Sequence, residues 1–162
     1  MKQFLELFKP LPGNRYIQVT THVDETTAAL YELLQNAGGE LRLAIYSEES
    51  LESVQSRYPD VKTQQITNFV HPFRALPRDN DIVILKDMFH LHHDKDKLLK
   101  VAYTTLANAA ELIIMQKKGT MDINAVKELL ERHEYRAANE IDVLPEYDLV
   151  MAKKMHMWGN GL

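Results

Sequence analysis

His90, His92 and His93 fall close together in DIVILKDMFHLHHDKD, the stretch Asp81–Asp96, with Asp87 before them and Asp94 after. Imidazoles and carboxylates at this density fit two chemistries. One is metal binding, because neutral imidazole nitrogens and carboxylate oxygens are zinc ligands. The other is proton transfer, because histidine changes charge near neutral pH. Neighbours in one loop rarely all converge, so a metal would need His22 or His71 as well. The chain has no His-Glu-x-x-His and no regular ligand spacing, and no metal is expected. Asp94 suits a helix cap, and Asp87 and His90 stay open between a loop held by hydrogen bonds to backbone and proton-transfer chemistry. A second group, Thr20, Thr21, His22 and Asp24, stands just before a helical pattern. Helix N-termini attract anions, so a protonated His22 there would hold a carboxylate or phosphate. Capping by Thr21 or Asp24 competes for the same N–H groups.

These residues need elements to position them, and the sequence alternates strand and helix patterns. Arg15–Thr20 and Leu41–Tyr46 read as strands, with a helix over Asp24–Asn36 between them. A helix from Ser47, as cap, to Arg57 leads to a strand over Val61–Thr67. Residues 68–80 carry prolines and read as an irregular crossover. Asp81–Lys86 and Glu111–Gln116 are continuous apolar runs, the pattern of strands buried on both faces. The helix between them covers Asp94–Leu106. A helix over Asp122–His133 precedes two closing strands, Tyr135–Ile141 and Tyr147–Lys153, joined by a turn at Pro145. Alternation of this kind means an α/β fold with a parallel, doubly wound sheet. In such sheets ligands bind beyond the carboxyl ends of the strands, where the histidine-rich loop and the His22 loop both fall.

The chain has 162 residues, 45% of them apolar and 26% charged, a size and composition typical of one globular domain. No run of apolar residues is long enough to cross a membrane, and MKQFLELFKPLPGN is not the pattern of a secretory signal. With no cysteine there is no disulfide, thiolate metal site or cysteine nucleophile, which fits a cytoplasmic protein. The formal charge is −4 and the basic residues are scattered, so no nucleic-acid surface is expected. Lys95, Lys97 and Lys100 read as a solvated helix face. Residues 1–14 form a short cap with Phe4, Leu5 and Phe8 on one side. Residues 155–162 form a tail whose Met157 and Trp158 would dock on the chain's own sheet or on a partner.

Residues 81–116 resemble the second half of class I S-adenosylmethionine (SAM)-dependent methyltransferases, in their small-molecule branch. Members there have an apolar strand, an Asn/Asp-x-x-His loop, an Asp/Glu-Lys-Leu-Leu helix start and a second apolar strand. Here Asp87-Met88-Phe89-His90 stands at the loop and Lys97-Leu98-Leu99 at the helix start. VKELLERHEYRAANEIDVLPEYDLVMAKK is similar to the family's last helix and closing hairpin, so the likeness covers residues 15–154. It implies a Rossmann-like seven-stranded sheet of order 3-2-1-4-5-7-6 with strand 7 antiparallel, and SAM as cofactor. The family's first strand ends in an acid and a Gly-x-Gly-x-Gly turn. That motif is degenerate here: Gln18 stands at the acid, and Thr20, His22 and Asp24 stand at the glycines. Ile45 occupies the ribose-binding acid position, with Glu48 three residues on, and Asn68 stands near the adenine position.

Two functions follow from the resemblance. In the first, the chain transfers a methyl group to a small molecule, with Asp87 and His90 on the acceptor side and Thr20, His22, Glu48 and Asn68 on the cofactor side. In the second, SAM binding is lost and the module binds a protein partner, or a small anionic ligand at the His22 helix end. The short N-terminal cap would leave the pocket open, so a homodimer lending a lid is expected. A monomeric mass in gel filtration would contradict that.

Overall fold

The computed structural model describes residues 1–155. The tail residues Met157 and Trp158 lie outside the described residues. Seven strands form one sheet: β1 (Arg15–Thr20), β2 (Glu40–Tyr46), β3 (Lys62–Ile66), β4 (Asn80–Lys86), β5 (Leu106–Lys117), β6 (Tyr135–Glu140) and β7 (Tyr147–Lys154). Their order is β3-β2-β1-β4-β5-β7-β6, as expected. β1 to β5 pair in parallel, and β7 runs antiparallel to both β5 and β6.

Helices cover both faces because the strands alternate their apolar side chains between them. Ile82 and Ile84 face α1 (Lys2–Leu5), α2 (Glu25–Ala37) and α3 (Glu52–Arg57), in a core with Phe4, Leu30 and Leu34. Val83 and Leu85 face α4 (Lys95–Thr105) and α5 (Ile123–Arg132), in a core with Leu98, Ala102 and Leu130. Phe4 and Phe8 pack edge to face at 5.1 Å, so the N-terminal cap is part of the first core. The return from α2 to β2 requires glycine twice. Gly38 ends the helix at φ +76°, and a Cβ on Gly39 would lie 2.9 Å from the Asn14 carbonyl.

Two boundaries differ from the sequence reading. Ser47 does not cap α3, whose first residue is Glu52. Gln65 of β3 donates to the carbonyls of both Ser47 and Glu49, at 2.9 and 2.7 Å. Those carbonyls are held outward, and Ser47 and Ser50 each close a local turn onto Glu49 and Glu52 N–H instead. β5 begins at Leu106 rather than Glu111. Leu106 pairs with Asn80 and Glu111 with Ile82, so the residues between bulge out, with Ala109 at φ +66°. The crossover from β3 to β4 is irregular, as expected.

Candidate functional site

The carboxyl edge of the sheet brings the loops after β1, β4 and β5 together. β1 ends at Thr20, and Asp24 caps α2 by accepting from Thr26 N–H at 3.0 Å, while Thr27 closes the reciprocal bond to Asp24 N–H. The capped first turn is held to β1 from below. Gln18, buried where the family has its acid, accepts from the Thr27 hydroxyl at 2.7 Å. Asp24 therefore caps the α2 N-terminus. The Thr20 side chain is buried and its hydroxyl donates to the His22 carbonyl, so Thr20 shapes the turn, while His22 points outward.

On the neighbouring strand, Lys86 ends β4 with its side chain fully buried. Its ammonium donates to Asp24 at 2.6 Å and to Asp87 at 2.8 Å, and it lies 5.0 Å from the centre of the Tyr147 ring. Tyr147 at the start of β7 donates to Asp87 in turn, at 3.1 Å. Burial alone lowers the Lys86 pKa, but its bonds to Asp24 and Asp87 outweigh that and hold it above the ordinary lysine value. Lys86 is thus a charged pin between the loop after β1 and the loop after β4. Burial raises the Tyr147 phenol, which stays protonated and able to donate.

The chain turns sharply at Asp87, with φ +58°, and Met88 and Phe89 then plunge into the core. Left-handed backbone at a non-glycine residue is uncommon and persists where the surroundings hold it, here the Lys86 and Tyr147 bonds. A 3₁₀ turn over Phe89–Leu91 leaves His90 and Leu91 exposed. Thr21, His22, Asp87, His90, Lys117 and Thr120 line a pocket of about 230 Å³. A second, more apolar pocket of about 270 Å³ shares His90 and Thr120 with it and continues to Phe89, Gln116, Met121 and Val126. Gln116 is buried, and its Oε1 has no partner among the described residues.

His92 does other work. His92 is buried, with its ring accepting from Asp94 N–H and approaching the His71 carbonyl at 3.2 Å. Its edge meets the Tyr46 ring, which stacks on Phe69 at 4.9 Å. Asp94 caps α4. Among the described residues no three His, Asp or Glu side chains group as a metal site. Burial chiefly lowers the His92 pKa, so the folded protein disfavours its proton and the unfolded chain takes it up more readily. Stability from this group is complete above about pH 6.5 and is lost as pH falls toward the depressed value. In denaturant titrations the wild type should lose stability more steeply than His92→Gln from about pH 7 to about pH 5. Parallel slopes would contradict this.

Glu48 and Asn68, the other cofactor-side candidates, are both exposed, beyond β2 and β3. Asn68 Oδ1 accepts from Val70 N–H, which leaves the amide NH2 to face outward ligands. None of Thr20–Asp24 has positive φ, so the turn forms without the glycines that the family uses. With Thr20 turned inward and Asp24 drawn to Lys86, His22 is the one side chain at the three glycine positions left standing at the edge. The inward turn of Thr20 and the Asp24–Lys86 bond leave the edge open at this loop, so the side chains present there do not block a SAM molecule. Sequence reasoning missed Lys86, Tyr147 and Thr120. A signal for Lys86 was present, since lysine ending an apolar strand buried on both faces must find a partner.

Searches of protein-family models and of curated proteins give no match. The fold is matched by many solved structures. A SAM-dependent methyltransferase from Aquifex aeolicus superposes with a TM-score of 0.72 at 17% identity, over 94% of this chain and 88% of that one. The citrinin polyketide synthase CMeT domain gives 0.73 at 13% identity, over 90% of this chain and 47% of that one. The methyltransferase structure in complex with the Haloferax volcanii Trm112 activator gives 0.74 at 11%, over 96% of this chain and 88% of that one. The chain thus spans about half the length of the first-ranked similar structures. At these identities the likeness is one of fold: the chain has the class I methyltransferase fold.

Proposed function

We propose that the protein is a SAM-dependent methyltransferase acting on a small molecule. The observation that carries this reading is the pocket that sets Thr21 and His22, from the cofactor loop, opposite Asp87 and His90, from the loop after β4. Bound SAM would supply an electrophilic methyl group on a sulfonium. His22, Glu48 and Asn68 would hold it, and Thr20 would shape the turn beneath. His90 is exposed and stands over the pocket, so it takes the proton that an O–H or N–H acceptor gives up on methylation. Asp87 is fixed by Lys86 and Tyr147, which keeps the acceptor loop in place and orients the acceptor. The adjoining apolar pocket, with Gln116 Oε1 unpartnered, favours an acceptor with an apolar body and a hydrogen-bond donor.

A protein partner or a second copy would complete the site. Val70 and Leu91 are exposed apolar residues on adjacent loops at this edge, tied by the bond from His93 N–H to the Phe69 carbonyl. A solved structure of the same fold is in complex with an activator protein, which supports a protein partner.

The direct test is calorimetric titration with S-adenosylhomocysteine. The wild type should bind saturably, and Asn68→Ala should bind about tenfold more weakly, the loss of roughly one hydrogen bond to the base. Equal affinities would remove Asn68 from the site, and no binding by the wild type would sink the reading.

A further inference from the structure

The opposite, amino-terminal edge of the sheet holds a concentration of positive charge that methyl transfer does not use. A pocket of about 420 Å³ opens there, lined by Arg15, Ile17, Arg42, Lys62, Arg74 and Asp79 among others. Pairing in register sets Ile17 beside Arg42 and Arg42 beside Lys62, so the three side chains form one row across β1, β2 and β3. Ile17 belongs to the core on the α4 and α5 side, which fixes the face of the row. The irregular crossover from β3 to β4 passes over it. Gln64 pins that crossover by accepting from Arg74 N–H and donating to the Arg74 carbonyl, both at 2.7 Å, two residues along β3 from Lys62.

The acids present do not balance these cations. Asp79 binds Arg42 at 2.6 Å and also Arg15, and Glu40 binds Arg42 at 2.7 Å. Asp79 is itself fixed by its N–H bond to the Thr105 carbonyl at 2.8 Å. The Arg42 bond holds the Asp79 carboxyl below the usual carboxylate range, so this acid stays charged and spoken for. Lys62 and Arg74 make no ion pair among the described residues. Lys62 lies directly across from Arg42, and like charges so placed on neighbouring strands repel. The fold needs neither Lys62 nor Arg74, both exposed, yet a chain of net charge −4 gathers them around one pocket.

We propose that this pocket binds a small phosphate-bearing ligand with an apolar body, at a site separate from the methyl-transfer edge. The Arg74 guanidinium and Lys62 ammonium supply charged donors to the phosphate oxygens. Ile17, Ala75 and Leu76, the last 70% exposed, supply the apolar wall. Arg15 and Arg42, neutralised by Asp79 and Glu40, form a fixed polar floor, and Lys62 and Arg74 carry the excess positive charge.

Titration calorimetry on the full chain at low salt, with inorganic pyrophosphate and with ADP, tests this. The wild type should show saturable heat, and the Lys62→Ala/Arg74→Ala double variant should bind at least tenfold more weakly with an unchanged unfolding temperature. ADP should bind tighter than pyrophosphate, because the apolar wall adds to the phosphate contacts, and equal or weaker binding of ADP would overturn the apolar body in the proposal. S-adenosylhomocysteine should displace neither. No saturable heat at millimolar ligand, equal affinity in the double variant, or displacement of ADP by S-adenosylhomocysteine would overturn the proposal.

Discussion

Lys86→Met is expected to lower the free energy of unfolding by about 3–5 kcal/mol, the range for breaking a buried ion pair by removing one partner. Methionine nearly matches the lysine stem in volume, so the loss is electrostatic rather than a cavity. The variant leaves Asp24 and Asp87 facing each other without the ammonium that both contact, at 2.6 and 2.8 Å in the wild type. Asp24 is also the cap of α2, and Asp87 holds left-handed backbone, so two loops loosen together. Chemical denaturation of the two proteins measures this. A loss below about 1 kcal/mol would place the cluster with ordinary surface pairs and contradict the role assigned to Lys86.

His90→Ala is expected to reduce methyl transfer by about 10²–10⁴-fold, the usual contribution of a positioned general base. Cofactor affinity should change little, because His90 stands on the loop after β4 and the cofactor candidates stand on the loops after β1, β2 and β3. His90 is exposed and outside both cores, so its removal leaves the fold intact. The readout is formation of S-adenosylhomocysteine with small-molecule acceptors carrying an apolar ring and a hydroxyl or amine. Unchanged turnover in the variant would transfer the proton-accepting role elsewhere. Weaker cofactor binding with unchanged turnover at saturation would place His90 on the cofactor side instead.

The strands and helix starts were legible in the sequence because their signals are local, whereas the strand order came from the family resemblance. Apolar runs such as Ile82–Leu85 mark strands buried on both faces, and Asp24, Asp94 and Asp122 mark helix starts that the structure confirms as caps. The start of α3 was not legible, because the bonds that hold Ser47 and Glu49 outward come from Gln65, on another strand. The bulge before Glu111 likewise depends on how β5 pairs with Asn80 of β4. At the site, the turn after β1 carries side chains at Thr20, His22 and Asp24 where the resemblance places glycines. Its bulk is removed by contacts that only the fold creates: Thr20 turns inward, and Asp24 is drawn to Lys86, 62 residues away in the chain. His92 looked like part of a histidine cluster, yet its ring is spent on backbone groups of Asp94 and His71. The amino-edge row of Arg42 and Lys62 needed the register between strands, which sequence patterns do not give.

In the proposed function a glycine-free turn holds SAM at the carboxyl edge. Thermal unfolding with and without millimolar SAM or S-adenosylhomocysteine is the decisive test. A ligand at a hundredfold excess over its dissociation constant adds about 2.7 kcal/mol to the native state, a rise of about 5–10 °C in a chain of this size. A saturable rise of that order with both ligands, absent with adenosine-free methionine, is the expected result. An unfolding temperature that does not move at millimolar concentration of either would contradict the claim and leave a methyltransferase fold without its cofactor.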